Sequence, residues 1–347
     1  MKHQIDDLYQ MQSLPLSAKI SMTQRRIVDW YNHFWGDVYL SFSGGKDSTV
    51  LKHIIQNMGY DIPIVFIDTG LEYPEIKEFV KQCKSNGENI KIIKPDMTFR
   101  QVIEKYGYPV ISKEVSRRVQ YAKKAIAEGR EKNHGDYKKL CGLAVDKNGR
   151  KSQFNCEKWK FLLEAPFNCS SECCTVMKKN PAKKYAKETG RKPILATMAD
   201  ESRLRLENWI KYGCNAFEAD RQTSQPMSFW TEQDVLQYLV EYNVPYASVY
   251  GKIYQEQDGT YKTTGCNRTG CVFCMFGCHL EKEPNRFQRL AKTHPKLYNY
   301  CMNGGEEVNG IWRPDNNGLG LSKVLDYIGV DYTPHESLKP KKLFEIK

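Results

Sequence analysis

Six consecutive residues carry the clearest chemistry: Ser43-Gly44-Gly45-Lys46-Asp47-Ser48. Two glycines let the backbone turn tightly and bring its N–H groups against a phosphate chain. The serines add hydroxyl donors, and a helix starting just after the loop adds partial positive charge. The spacing G-x-x-x-x-G-K-[ST] is absent, so this is not a Walker A loop. A bare Gly-Gly turn is the bland alternative. It leaves unexplained the apolar run DVYLSFS before the loop and the helical run after it.

Cysteines form the second constellation. Cys173-Cys174-Thr175-Val176-Met177-Lys178 runs on to Pro181, and far downstream stands Gly265-Cys266-Asn267-Arg268-Thr269-Gly270-Cys271-Val272-Phe273-Cys274, then Cys278 and His279. Adjacent cysteines do not readily bridge each other, whereas C-x-x-C offers two thiolates to one metal centre. C-x4-C-x2-C is also an iron–sulfur spacing. Lys178 and Arg268 are cations suited to offset thiolate charge. Zinc held by Cys266, Cys271, Cys274 and Cys278 or His279 is the competing reading, although it gives Cys173 and Cys174 no task. Cys141, Cys156 and Cys169 are irregularly spaced candidates for a second metal site; Cys83, Cys214 and Cys301 read as small apolar residues.

The SGGKDS run resembles the pyrophosphate loop of the PP-loop ATP pyrophosphatase superfamily, whose members split ATP into AMP and pyrophosphate while adenylating a substrate. Two further stretches resemble its phosphoadenosine-phosphosulfate (PAPS) reductase branch. They are Phe66-Ile67-Asp68-Thr69-Gly70 with Pro74-Glu75, and Asp200-Glu201-Ser202-Arg203-Leu204-Arg205. The resemblance implies an ATP site made of Ser43, Gly44, Gly45, Lys46, Asp47, Ser48, Asp68, Thr69, Gly70, Glu201 and Ser202. It gives catalytic roles to Lys46, Asp47 and Arg205, with Mg²⁺ accompanying the ATP. An arginine fork suits a phosphate-like oxyanion, while Glu201 and Arg205 also fit an ordinary i,i+4 helix pair. Ala196-Thr197-Met198 stands where the family often has G-x-R, which puts one anion contact, and hence the substrate, in doubt.

The tandem cysteines and distant C-x-x-C resemble the [4Fe-4S] motif of adenosine-phosphosulfate (APS) reductases, implying Cys173, Cys174, Cys271 and Cys274 as ligands. Cys266 and Cys278 are alternates; Cys266 belongs to a G-C-x-R-x-G-C-x-x-C run resembling sulfur-transfer relatives.

Strand–helix alternation must position these groups. Apolar stretches predict strands over 37–43, 62–68, 91–94, 193–199 and 226–229. Helical spacing predicts helices over 23–35, 49–58, 74–83, 98–106, 114–128, 201–212 and 232–242, the last capped by Thr231. Residues 129–169 lose the pattern, and periodicity fails from 245 to about 285 before helical segments near 285–302 and 319–328. Such alternation predicts an α/β fold, a doubly wound parallel sheet with a Cys-rich C-terminal appendage closing over the nucleotide. The expected division is a helical segment over 1–36, a PP-loop domain over 37–245 with a basic insertion near 129–172, and a metal-binding region over 246–347.

The chain's 347 residues include 52 Lys+Arg against 41 Asp+Glu, 12 cysteines and 12% aromatics, a globular composition. Residues 113–192 hold 21 of those cations and only 9 acids. A basic middle suits a polyanion such as DNA, RNA or a nucleotide, or is a solvated helical face. The start MKHQIDDLYQ is polar, and no apolar run approaches the ~18 residues of a membrane span. The expectation is a cytoplasmic protein with reduced thiols and no membrane partner.

Three functions compete. The first is ATP-dependent, pyrophosphate-releasing sulfur transfer to a nucleic acid or nucleotide, served by a sulfur donor such as a cysteine desulfurase, or by an electron donor. The second is an APS or PAPS reductase. Against it stand the intact loop, since family reductases usually have a degenerate one, and the ending KLFEIK in place of a nucleophilic E-C-G-L-H-like tail. The third is a non-catalytic nucleic-acid-binding metal protein, which gives the phosphate loop no use.

Overall fold

In the computed structural model, which describes residues 3–334, the strand Val38–Phe42 lies inside a six-stranded sheet. The parallel strand Ile64–Ile67 flanks it on one side, followed outward by Ile90–Ile93. Lys192–Leu195 flanks its other side, also in parallel, and pairs in turn with Thr223–Ser224. Only Asn215–Ala216, at the far edge, runs antiparallel to its neighbour.

Side-chain alternation along the central strand separates two buried faces. Val38, Leu40 and Phe42 join a large core with Ile27 and Trp30 of the helix Leu16–His33 and Val50, Leu51 and Ile54 of Lys46–Asn57. Tyr39 and Val65 point the other way and pack on Tyr185 of the helix Asn180–Thr189. The Tyr39 and Tyr185 rings meet edge-on at 4.9 Å between centroids. Helices on both faces of a mostly parallel sheet make the fold doubly wound α/β, as the alternation predicts.

Local chemistry accounts for the differences from expectation. The helix after the phosphate loop begins at Lys46 rather than Thr49, because Gly45 is its N-cap and Thr49 bonds back to the Gly45 carbonyl. The expected strand over 226–229 is a turn that buries Met227 and Phe229. Pro226 cannot donate to a ladder, and pairing ends at Ser224. Thr231 caps Glu232–Glu241 as expected, sharing a capping box with Asp234. The helical stretch near 285–302 is two helices, Arg286–Thr293 and Pro295–Met302.

The chain divides into two compact units, one of residues up to 95 with 179–272, the other of 96–178 with 273 onward. The sheet belongs wholly to the first. The second is mainly helical, around Val119, Leu162, Phe167, Met177, Phe287 and Leu325. A short parallel pair joins Val110–Ile111 to Met275–Phe276, and Glu306–Val308 pairs with Ile311–Arg313. Among the described residues, no helix is long and apolar enough to cross a membrane.

Candidate nucleotide site and cysteine motifs

The strand order places a crevice. From Val38–Phe42 the chain builds outward on one side and returns on the other with Lys192–Leu195. Loops leaving the C-terminal ends of these strands diverge, and such switch points hold ligands in open α/β sheets. Residues 43–45 follow the first strand, 68–70 follow Ile64–Ile67, and 196–202 follow Lys192–Leu195. Most of the expected nucleotide residues therefore leave the same edge of one sheet.

The 43–48 loop is tied by its own hydroxyls. Ser43 N–H donates to Ser48 Oγ at 3.2 Å, and the two serine hydroxyls lie 3.0 Å apart. Gly45 N–H reaches Ser43 Oγ at 3.3 Å. Gly44 is required by shape: its φ is +72°, and a Cβ there would fall 2.7 Å from Ile76 Cγ2. Lys46 is buried, and its Nζ donates to Glu232 Oε1 at 2.8 Å.

Tyr250 extends this network. Its hydroxyl accepts from Lys46 N–H at 3.4 Å and lies 2.6 Å from Thr269 Oγ1. Burial, eased by those two hydrogen bonds, pushes the phenol up to about 12. Tyr250 therefore holds its proton at neutral pH and can donate it to Thr269.

Asp47 sits among opposed charges. Burial raises its carboxyl above the ordinary value; Lys46, Arg268 and Arg205 pull it down, and Glu232 pushes with the burial. Burial also acts to raise Asp68, but the Lys77 ion pair at 2.8 Å and Gly70 N–H outweigh it, so Asp68 lies below its ordinary value. Thr69 is buried and donates from Oγ1 to Glu72 at 2.6 Å.

Glu201 and Arg205 form the i,i+4 pair that the spacing allows, and Arg268 joins the same carboxylate. Glu201 also accepts Met198 N–H at 3.1 Å, while Ser202 caps the helix Arg203–Tyr212. Burial, then the neighbouring Arg268 guanidinium, holds Arg205 below its ordinary value. Sequence reasoning missed Arg268, Tyr250, Thr269 and Glu232 as neighbours of the loop. The sequence pairs Arg268 with thiolate charge; the G-C-x-R-x-G-C run is the available signal, but its partner Glu201 lies 67 residues away.

Backbone contacts anchor that run to the first unit. Gly265 N–H donates to Tyr250 O at 2.9 Å, Cys266 N–H to Val249 O at 3.0 Å and Val272 N–H to Leu71 O at 2.8 Å. Only glycine fits position 265, where a Cβ would meet Val249 O at 2.3 Å. Cys266 and Cys271 are both half-buried.

In the second unit, Cys173 and Cys174 end the single turn Glu172–Cys174, and the π-helical turn Thr175–Lys179 follows at once. Such turns are rare and frequent at functional sites. Arg286 donates to the Cys274 carbonyl at 2.8 Å and pairs with Glu281. Burial pushes the Cys278 thiol up to about 11 despite Arg286, which disfavours its thiolate. The donor types suit an iron–sulfur group, being thiols with a cation nearby. Among the described residues, however, no group of three or more His, Cys, Asp or Glu side chains is gathered to hold a metal ion.

Two stretches, 37–137 and 115–275, match the phosphoadenosine phosphosulfate reductase domain. The chain belongs to that family. The motifs over 43–48, 66–75 and 200–205 thus carried a resemblance that the comparison bears out. Curated relatives include an uncharacterized protein of Methanocaldococcus jannaschii, 24% identical over 311 residues, covering 83% of this chain and 48% of that protein. A second from the same organism is 23% identical over 79% of this chain and 50% of its own length. The chain thus spans about half the length of both. Adenosine 5'-phosphosulfate reductase 1 of Bacillus subtilis is 29% identical over 40% of this chain and 62% of its own. The crystal structure of phosphoadenylyl-sulfate (PAPS) reductase from Candida auris in a phosphate complex is 13% identical, with a TM-score of 0.37 over 75% of this chain and 98% of that one.

Proposed function

We propose that this member of the PAPS reductase family is an ATP-dependent sulfurtransferase that releases pyrophosphate and adenylates its acceptor. One observation carries the reading. The loop over 43–48 is intact at the C-terminal end of a parallel strand and opens a helix, the arrangement in which backbone N–H groups can receive a phosphate chain. A sulfonucleotide has no β,γ-pyrophosphate to place there.

In this reading the β- and γ-phosphates of Mg²⁺-bound ATP take the N–H groups and hydroxyls of residues 43–48. Lys46 exchanges Glu232 for a phosphate oxygen, and Arg205 faces the charge that grows on the leaving group. An acceptor oxygen attacks the α-phosphorus, the bond to the bridging oxygen breaks, and pyrophosphate departs. A sulfur nucleophile then displaces AMP from the adenylated acceptor. The basic stretch over 113–192 favours DNA or RNA as acceptor through phosphate neutralisation, and a cysteine desulfurase is a fitting sulfur source.

A resident [4Fe-4S] cluster is part of the proposal, on the motif Cys173, Cys174, Cys271 and Cys274, with Cys266 and Cys278 as alternates. When bound it would supply a sulfur- or electron-handling centre; zinc is the competing occupant. The second functional reading is APS or PAPS reduction to sulfite, favoured by the relatives named APS reductase. Against it, Cys301 is fully buried with its thiol pushed up to about 12, a poor nucleophile.

Product analysis separates these readings. Anaerobically purified protein is given labelled ATP, Mg²⁺, a desulfurase with cysteine, and mixed tRNA or plasmid DNA. AMP, pyrophosphate and sulfur-labelled nucleic acid are expected. In a parallel assay with APS or PAPS and a dithiol reductant such as thioredoxin, sulfite formed with AMP or PAP and the oxidised disulfide, without ATP cleavage, would establish the reductase instead.

A further inference from the structure

We propose that Arg268 and Arg205 together form an oxyanion subsite beside the phosphate loop, with Glu201 holding both guanidiniums until the ligand's oxyanion displaces it. The inference rests on the nucleotide reading above and adds a residue and a switching carboxylate to it.

Three observations carry it. Two guanidiniums converge on one carboxylate, and both also act on Asp47 of the loop. Glu201 is mostly buried, its side chain 12% exposed, whereas Arg205 is 38% and Arg268 67% exposed. The carboxylate is thus fixed while the cations keep a solvent-facing side for a ligand. Finally, Arg268 is no wandering surface residue. Its segment is pinned before it by the backbones of Gly265 and Cys266 and after it by Val272, and Thr269 next to it is bonded to Tyr250, which accepts from Lys46 N–H.

The segment after Leu195 carries no cation before Arg203. Arg268 delivers one from 67 residues further along the chain. The ligand chemistry is a tetrahedral oxyanion, which bidentate guanidiniums recognise by geometry as well as charge. Its source is either the phosphate of ATP or the sulfo end of a sulfonucleotide.

Calorimetric titration of the whole protein with Mg²⁺-ATP, APS and inorganic pyrophosphate tests this. Arg268→Ala is expected to weaken binding about 10- to 100-fold, the value of a charge-assisted hydrogen bond, and Arg268→Lys to recover part of it. Glu201→Gln keeps an acceptor for Met198 N–H but drops the competing charge, so it should tighten binding several-fold. This opposite sign separates a switching carboxylate from a structural brace. Larger losses with ATP than with APS assign the subsite to a phosphate, and the reverse to a sulfo group. Ligand binding that Arg268→Ala leaves unchanged, or that Glu201→Gln weakens, overturns the proposal while leaving the nucleotide reading intact. Absence of binding by all three ligands to the unaltered protein overturns both.

Discussion

Asp47 is where function and stability pull apart most clearly. Burial raises its carboxyl, so the fold favours the neutral form. A raised acid contributes stability that is full below its ordinary value and lost as pH climbs through the folded value. Above that ordinary value the fold therefore loses stability at Asp47, whose ionised form it disfavours. Asp47→Asn should raise the melting temperature at pH 7 while abolishing ATP-dependent pyrophosphate release, and the gain should shrink towards pH 3. Asp68 behaves oppositely: its folded value lies below the ordinary one, so its stabilisation is lost as pH falls through that lowered value. Residue types in the loop were legible because phosphate chemistry needs them contiguous. Arg268, Tyr250 and Glu232 were not, since each reaches the loop only through the tertiary fold.

At the scale of elements, one strand, one turn and one helix do the positioning. Val38–Phe42 delivers the loop, Gly44 turns it at φ +72° against Ile76, and Gly45 opens the helix Lys46–Asn57. Gly44→Ala should destabilise the protein by about 1–3 kcal/mol, as strained backbone sites do, and should weaken ATP binding at least tenfold. Urea melts and titration calorimetry check the two effects. The strands and helices of the sheet were readable because both periods are strong there and strand follows helix in order. The 226–229 stretch misled because Met227 and Phe229 are as apolar as strand residues, although they are buried from a turn. The π-helical turn after Cys174 has no sequence period of its own, which kept it from view.

The whole molecule carries a mostly parallel sheet in one unit and a helical second unit, with cysteine motifs in both. Composition announced the charge excess and the thiols; topology was needed to place the loops on one strand edge. If the cysteine motifs hold a cluster, anaerobic protein should contain about four iron and four sulfide per chain. Cys271→Ala and Cys274→Ala should each lose most of it, by metal analysis and visible absorption, with ATP binding kept. Full metal retention by both variants would refute the ligand assignment.

In the proposed function, residues 43–48 hold a β,γ-pyrophosphate. The most direct test of this is the affinity of the whole protein for Mg²⁺-ATP against AMP, by calorimetry, with no acceptor needed. ATP should bind at least tenfold more tightly than AMP, the advantage vanishing in Gly44→Ala. Equal affinity for ATP and AMP, with APS or PAPS bound more tightly than either, would contradict it.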